Sequence, residues 1–218
     1  YKRQVLTSLG AKERLALSFR YMKDDPQNNI RVIPPLLRKE VTLHEPYSGD
    51  YIHGYMVNAG FSENVMKWHR QHPGIPLRFF WDKWEEEPVK RVDNTLSFYQ
   101  LDDVEFLRQM AGCKAYASTA GFESVCEAMY LGKPILMVPA HIEQDCNAYD
   151  AKKSGAGIIS SDFNLQQLLE FAKDYHPNRD FVYWVRGAEY TLLNLLESDS
   201  SNYQQVLFNE MYLVEEFI

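Results

Sequence analysis

The stretch Ser118–Ala148, STAGFESVCEAMYLGKPILMVPAHIEQDCNA, decides how the chain reads. It opens on small residues around Gly121, where a strand-like run (CKAYAST, 113–119) gives way to a helical one (FESVCEAMYL, 122–131). PILMVPA (134–140) follows as a short apolar run of strand length, and QDCNAYDAKKSG (144–155) as a helix stopped by Gly155. GIIS (157–160) is a further short strand. Strand and helix alternating at this spacing predict parallel βαβ units.

Working outward, the same rhythm continues. Upstream, YIHGYMV (51–57), PLRFFWD (76–82) and TLSFYQ (95–100) read as strands, and NAGFSENVMKWHRQHP as a loop followed by a helix. DDVEFLRQMAG (102–112) is a helix with acids in its first turn and Gly112 at its end, as the helix dipole and C-cap preferences favour. KWEEEPVKRVD (83–93) reads as a solvated charged loop. Downstream, Asn164 is placed to cap LQQLLEFAKDY, a long helix is expected over 180–197, and the tail 202–218 has the pattern of a docked amphipathic helix. The fold class is therefore α/β, a doubly wound, Rossmann-like parallel sheet. Ligands of such sheets bind at the carboxyl ends of the strands. The loops 58–62, 99–103, 119–123 and 140–144 then share one edge.

Composition narrows the classes. With 218 residues and 45% hydrophobic residues, the chain can bury a sizeable core. The net charge of −7 argues against general nucleic-acid binding, which needs a basic face. It leaves room for a phosphate ligand, since helix N–H groups bind phosphate whatever the global charge. No apolar run reaches the length of a membrane span, and YKRQVLTSLG has no apolar signal-peptide core. The sequence starts without Met, so a piece of a longer protein is expected. Cys113, Cys126 and Cys146 have neither disulfide-framework nor zinc spacing. Cys126 and Cys146 are expected to pack as small apolar residues in a reducing compartment, and the localisation expected is cytoplasmic.

The chemistry concentrates in the opening stretch. The small residues Thr119, Ala120 and Gly121 let a phosphate approach the backbone at a helix start, and Ser124 adds a hydroxyl in the first turn. The spacing Ser124-x-x-Glu127 equally suits a capping box, which needs no ligand. Glu127 lies one turn after Ser124, where a carboxylate can accept from both vicinal hydroxyls of a ribose. Glu143 beside Gln144 offers acceptors and donors to adjacent hexose hydroxyls, or else simply places acids at a helix start. Gly132-Lys133-Pro134 is not a P-loop, because no Gly precedes it at the required spacing.

In combination these pieces resemble the nucleotide-sugar signature of GT-B glycosyltransferases: H-G-G-x-x-S-x-x-E-A-x-x-x-G-x-P, a strand, then P-x-x-x-(D/E)-Q-x-x-N-A and a later G-x-G. The chain reads TAGFESVCEAMYLGKP from Thr119, PAHIEQDCNA from Pro139, and Gly155-Ala156-Gly157. The nearest flavour is a poorly characterised bacterial and archaeal group with G-F-E-S/T and E-Q-x-x-N-A. The resemblance implies a diphosphate held by Thr119, Ala120, Gly121 and Ser124, a ribose held by Glu127, and a donor hexose held by Glu143 and Gln144. It implies a base stacked on Phe98 or Tyr99, and a first loop, with Asn58 and Gly60, facing the phosphates and acceptor. Where the family has His and a first Gly, this chain has Thr119 and Ala120, so a Thr hydroxyl or the backbone alone would replace the imidazole contact. The donor pair is Glu-Gln rather than Asp-Gln.

The resemblance further implies an enzyme: a glycosyltransferase that transfers a hexosyl group from a nucleotide-diphospho-sugar, UDP favoured, to an unknown acceptor (glycan, lipid or small molecule). No cofactor and no metal are expected, and no Asp-x-Asp motif is present. The expected domains are 1–46, the end of an N-terminal domain and linker; 47–176, the nucleotide-sugar domain; and 177–218, C-terminal helices. The acceptor site and catalytic base would belong to the missing N-terminal domain, through which peripheral membrane association is possible, and no catalytic residue is assigned. Two alternatives stand beside this. Nucleotide-sugar 2-epimerases share S-G-G-x-x-E-E-A and G-K-P, but carry R-x-x-T-E-R-P-E where this chain has PAHIEQDCNA. A non-catalytic nucleotide-sugar-binding module is the other.

Overall fold

The computed structural model describes residues 11, 14–83 and 87–197. These divide into two compact units, one of residues up to 36 together with those from 183 onward, the other of residues 37–182.

The first unit contains β1 (Arg14–Leu17) and β2 (Ile30–Ile33), paired in parallel with Arg14 opposite Ile30 and Leu17 opposite Ile33. Between them a 3-10 turn is capped by Asp25, whose side chain accepts from the Asn28 N–H. The Trp184 indole N–H donates to the Ser18 carbonyl at 3.0 Å, and its ring meets Tyr21 edge-on.

The larger unit is the doubly wound sheet. Its strands are β3 (Ile52–Met56), β4 (Leu77–Trp81), β5 (Val89–Arg91), β6 (Leu96–Gln100), β7 (Ala115–Ser118), β8 (Ile135–Met137) and β9 (Gly157–Ile159). The spatial order is β5-β6-β4-β3-β7-β8-β9, parallel throughout except for β5. The order reverses between β3 and β7, which makes that junction the switch point of the sheet. Register aligns the strand ends: Met56 lies opposite Trp81, Trp81 opposite Gln100, Ser118 opposite Met137, and Met137 opposite Ile159. The loops that leave these ends therefore open on one edge, as expected.

The helices are α1 (Ser62–Gln71), α2 (Asp103–Gly112), α3 (Phe122–Tyr130), α4 (Ile142–Lys153), α5 (Leu165–Lys173), α6 (Arg179–Arg186) and α7 (Ala188–Glu197). Helices α1 to α5 belong wholly to the larger unit, where they cover both faces of the sheet; α7 belongs to the first unit, and α6 runs across the boundary between the two. Val65 and Trp68 of α1 and Leu165 and Leu168 of α5 join Ile52, Phe79 and Phe98 in one core. On the other face His53 sits among Phe80, Phe106 and Tyr116, with Phe106 supplied by α2. Because side chains alternate along a strand, Gly54 belongs to the first face, and the Phe79 ring fills the place of its missing Cβ. Burying a ring of that size contributes about 2–3 kcal/mol, so any side chain at 54 would compete with a major core contact.

Four expectations are corrected. Part of the charged loop 83–93 is strand β5, antiparallel to β6; its residues are all exposed, as a charged edge strand can be. The helix over 180–197 is two helices, broken at Gly187, a poor helix former. Helix α4 starts at Ile142, so Glu143 and Gln144 stand in its first turn. Cys146 is exposed, because α4 buries the stripe Gln144, Ala148, Ala151 and Cys146 lies off that stripe. The tail 202–218 lies outside the described residues.

Candidate functional site

The chain between β7 and α3 turns within three residues. Ala120 has φ +60°, a left-handed conformation that costs an L-residue about 1–2 kcal/mol. Two side chains hold it there. Ser118 Oγ accepts the Ala120 N–H at 3.1 Å, and Asn147 Nδ2 of α4 donates to the Ala120 carbonyl at 3.4 Å. A strained residue held by its surroundings is a feature of functional turns. It also accounts for the Gly of the family pattern at this position, since Gly carries no such cost.

Gly121 then forms the N-cap of α3 in ordinary extended geometry and makes no side-chain cap bond. The capping box is not formed. Ser124 Oγ donates instead to the Gly121 carbonyl at 3.3 Å, and Glu127 bonds elsewhere. Helix α4 likewise starts at His141 without a side-chain cap, while Gln144 Oε1 accepts the Ala140 N–H at 2.8 Å.

The candidate residues fall as follows. Thr119 and Ala120 are fully buried; Gly121 and Ser124 are partly exposed. Thr119 Oγ1 accepts the Val57 N–H at 3.4 Å, tying the turn to the first loop. In the first loop Asn58 and Gly60 are exposed, and Asn58 Oδ1 accepts the Gly60 N–H at 2.8 Å. Glu143 is exposed and Gln144 buried. The two aromatic candidates separate. Phe98 is 1% exposed and stacked on Trp81 at 4.5 Å, so it has no free face for a base. Tyr99 is partly exposed, with one face stacked on Phe80 at 5.1 Å. Bonds thus join the turn 118–121 to the first loop and to α4, and none of these reaches Tyr99.

Glu127 is the best-defined side chain of the group. It is buried, and both carboxylate oxygens accept from Arg38: Nε to Oε1 at 2.6 Å and Nη2 to Oε2 at 2.9 Å. Arg38 Nη1 lies 3.1 Å from Asp103 Oδ1 at the start of α2. Burial raises the Glu127 carboxyl above its ordinary pKa, and the hydrogen bonds and charge of Arg38 act against that rise. Arg38 was not legible as a site residue: one Arg in a connecting segment has no spacing pattern. Asn147 was legible as a motif match but not as the residue that holds Ala120.

Burial also shifts three other titratable groups. Burial pushes His53 down to about 3, so it stays neutral near pH 7. The Cys113 thiol is pushed up to about 12, and the Cys126 thiol well above its ordinary value, both by desolvation. A hollow of about 230 Å³ bordered by Asp50, Pro76 and Lys114 lies at the opposite, amino-end edge of the sheet. Among the described residues no helix is long and apolar enough to cross a membrane.

The family model for glycosyl transferase family 1 matches residues 9–175. No curated protein matches the chain. Among solved structures the chain is similar to the glycotransferase of kitacinnamycin (14% identity, 82% of this chain and 51% of that one, TM-score 0.57). It is also similar to the spinosyn forosaminyltransferase SpnP (12% identity, 92% of this chain and 55% of that one, TM-score 0.50). The shared feature is the mixed α/β, GT-B-like fold, and the chain spans about half the length of each of these structures.

Proposed function

Because the chain belongs to glycosyl transferase family 1, we propose that it is the donor-binding half of a glycosyltransferase, holding a UDP-sugar across the open starts of α3 and α4. One observation carries this reading: the Ser118–Gly121 turn is held in a strained conformation by Ser118 and Asn147, and delivers an uncapped helix start at the switch point of the sheet. A helix start with no side-chain cap offers its first N–H groups and its positive end to an anion.

In this reading the diphosphate lies against the backbone at Gly121 and Ser124, with Asn58 and Gly60 of the first loop facing it. The ribose hydroxyls donate to Glu127, the base lies on Tyr99, and Glu143 with the Gln144 amide contacts the hexose. Transfer breaks the bond between the anomeric carbon and the diphosphate oxygen. The electron pair leaves with the diphosphate, whose growing charge the α3 N–H groups stabilise without need of a metal. An acceptor oxygen forms the new bond and gives its proton to a base. That base and the acceptor site belong, in this reading, to the part of the longer neighbours that this chain does not span.

Calorimetric titration with UDP, UDP-hexoses and GDP-sugars tests the reading. UDP should bind; absence of heat with every nucleotide, the fold being intact, would refute the donor site. Glu127→Ala should weaken UDP by roughly ten- to a hundredfold, since hydrogen bonds to a charged group contribute about 1.5–3 kcal/mol. Glu143→Ala should leave UDP nearly unchanged and alter discrimination between hexoses. Equal losses of UDP affinity from both changes would contradict the assignment.

A further inference from the structure

Arg38 lies in the segment between β2 and β3, immediately before a 3-10 turn (Lys39–Leu43) anchored by the buried Val41. Its guanidinium uses both edges. Nε and Nη2 fork onto the Glu127 carboxylate of α3, and Nη1 reaches Asp103 of α2. Side-chain exposure is 3% for Glu127 and 36% for Arg38, so the carboxylate is enclosed while the cation stands at the rim. A bidentate fork occupies one acceptor position on each carboxylate oxygen, and each oxygen retains another.

We propose that Arg38 is a positioning residue of the Glu127 subsite, its fork aiming the carboxylate so that its two remaining acceptor positions meet the vicinal hydroxyls of a nucleotide ribose. The inference rests on the donor-site reading above and adds to it the residue that makes Glu127 competent. Without Arg38 the carboxylate would face only burial and neighbours of its own sign. Asp103 of α2 and Glu123 on its own helix act in the same direction as desolvation, towards the protonated form. Tyr116 of β7 and Cys126 on its own helix are also coupled to it, and burial keeps both of them neutral. Arg38 is the cation opposing them. A protonated Glu127 would retain acceptor capacity but lose the charge that strengthens its bonds to hydroxyls.

The test is calorimetric titration of UDP into wild type, Arg38→Met, Arg38→Lys, Glu127→Gln and the double variant Arg38→Met/Glu127→Gln, across the neutral range, with thermal unfolding run alongside. The loss of UDP affinity in Arg38→Met should be largest at the acid end of the range and shrink as pH rises, because the carboxylate left without its cation regains its charge at higher pH. Arg38→Lys should recover most of the loss by restoring the charge. The double variant should bind no worse than Glu127→Gln alone, with no added pH dependence. Unchanged or tighter UDP binding by Arg38→Met at every pH would overturn the proposal; tighter binding would mean that Arg38 competes with the ribose. A loss independent of pH that persists in the Glu127→Gln background would also overturn it, showing direct contact with the ligand. Equal UDP affinity of wild type and Glu127→Gln is a different failure, that of the ribose assignment itself. If Arg38→Met does not fold, Arg38→Gln, which also removes the charge, is compared with wild type over the same range and read in the same way.

Discussion

Helices α2 and α5 begin closed, whereas α3 and α4 begin open. Asp102 Oδ1 accepts the Glu105 N–H at 2.8 Å at the start of α2, and the Asn164 side chain accepts from the Gln167 N–H at the start of α5. Gly121 and His141, in the equivalent places of α3 and α4, have no side-chain cap. Acids in the first turn do not account for the difference, since α2, α3 and α4 all carry them. The closed starts stabilise the fold with their own side chains; at the open starts the N-cap residue supplies no such bond. What separates them is the residue at the N-cap and the turn that precedes it.

That comparison can be broken by single substitutions. Asp102→Ala and Asn164→Ala should each cost about 1 kcal/mol of stability, the usual worth of a cap, and leave nucleotide affinity unchanged. Urea unfolding and a UDP titration of the same preparations check both halves. A fall in affinity with either variant would show that the closed starts also serve the ligand.

Ala120→Gly sharpens the contrast within α3. It relieves the left-handed conformation at φ +60° while increasing the freedom of the unfolded chain. The net change should be a stabilisation of up to about 1 kcal/mol, read by thermal unfolding. Destabilisation would mean that the Ala120 methyl, which is buried, contributes more packing than its backbone costs.

A smaller effect concerns Asp93, a polar group as fully satisfied as the caps. It accepts from the Thr95 and Leu96 N–H groups and pairs with His69 at 2.8 Å. The Thr95 N–H first, and then His69, hold its carboxyl well below the usual carboxylate range. A depressed pKa stabilises the fold above the unfolded value of about 4 and ceases to do so as pH falls through the folded one. The stability gap between wild type and Asp93→Asn should therefore narrow as denaturation is repeated at progressively more acid pH. A constant gap would show that Asp93 acts through its hydrogen bonds alone.

Much of the fold was legible because it rests on local signals. Apolar runs of strand length, Asn164 as a cap and Gly121 after β7 each carry their meaning within a few residues. Strand β5 was not, since Val89–Arg91 pairs only because β6 leaves an edge free, and a charged exposed strand has no apolar period. The site divides in the same way. The turn and the start of α3 follow from small residues at a strand end, whereas α4 starts at Ile142, ahead of the position its sequence suggests. Phe98 and Tyr99 are neighbours in sequence, and only their opposite directions from the sheet show that Phe98 belongs to the core. The pairing of Arg38 with Glu127 spans 89 positions, and no local pattern announces it.

The most direct test of the central claim is to close the open start. Gly121 has φ −62° and ψ 134°, geometry an N-cap Asp can adopt, and the nearest atom to an added Cβ is Ser124 Oγ at 3.6 Å. Gly121→Asp should leave the melting temperature unchanged or raise it slightly, because Asp caps at least as well as Gly. In a calorimetric titration it should weaken UDP by about a hundredfold or more, an internal carboxylate having taken the anion's place. Wild-type affinity for UDP in a folded Gly121→Asp protein would contradict the claim that α3 is left open for a phosphate.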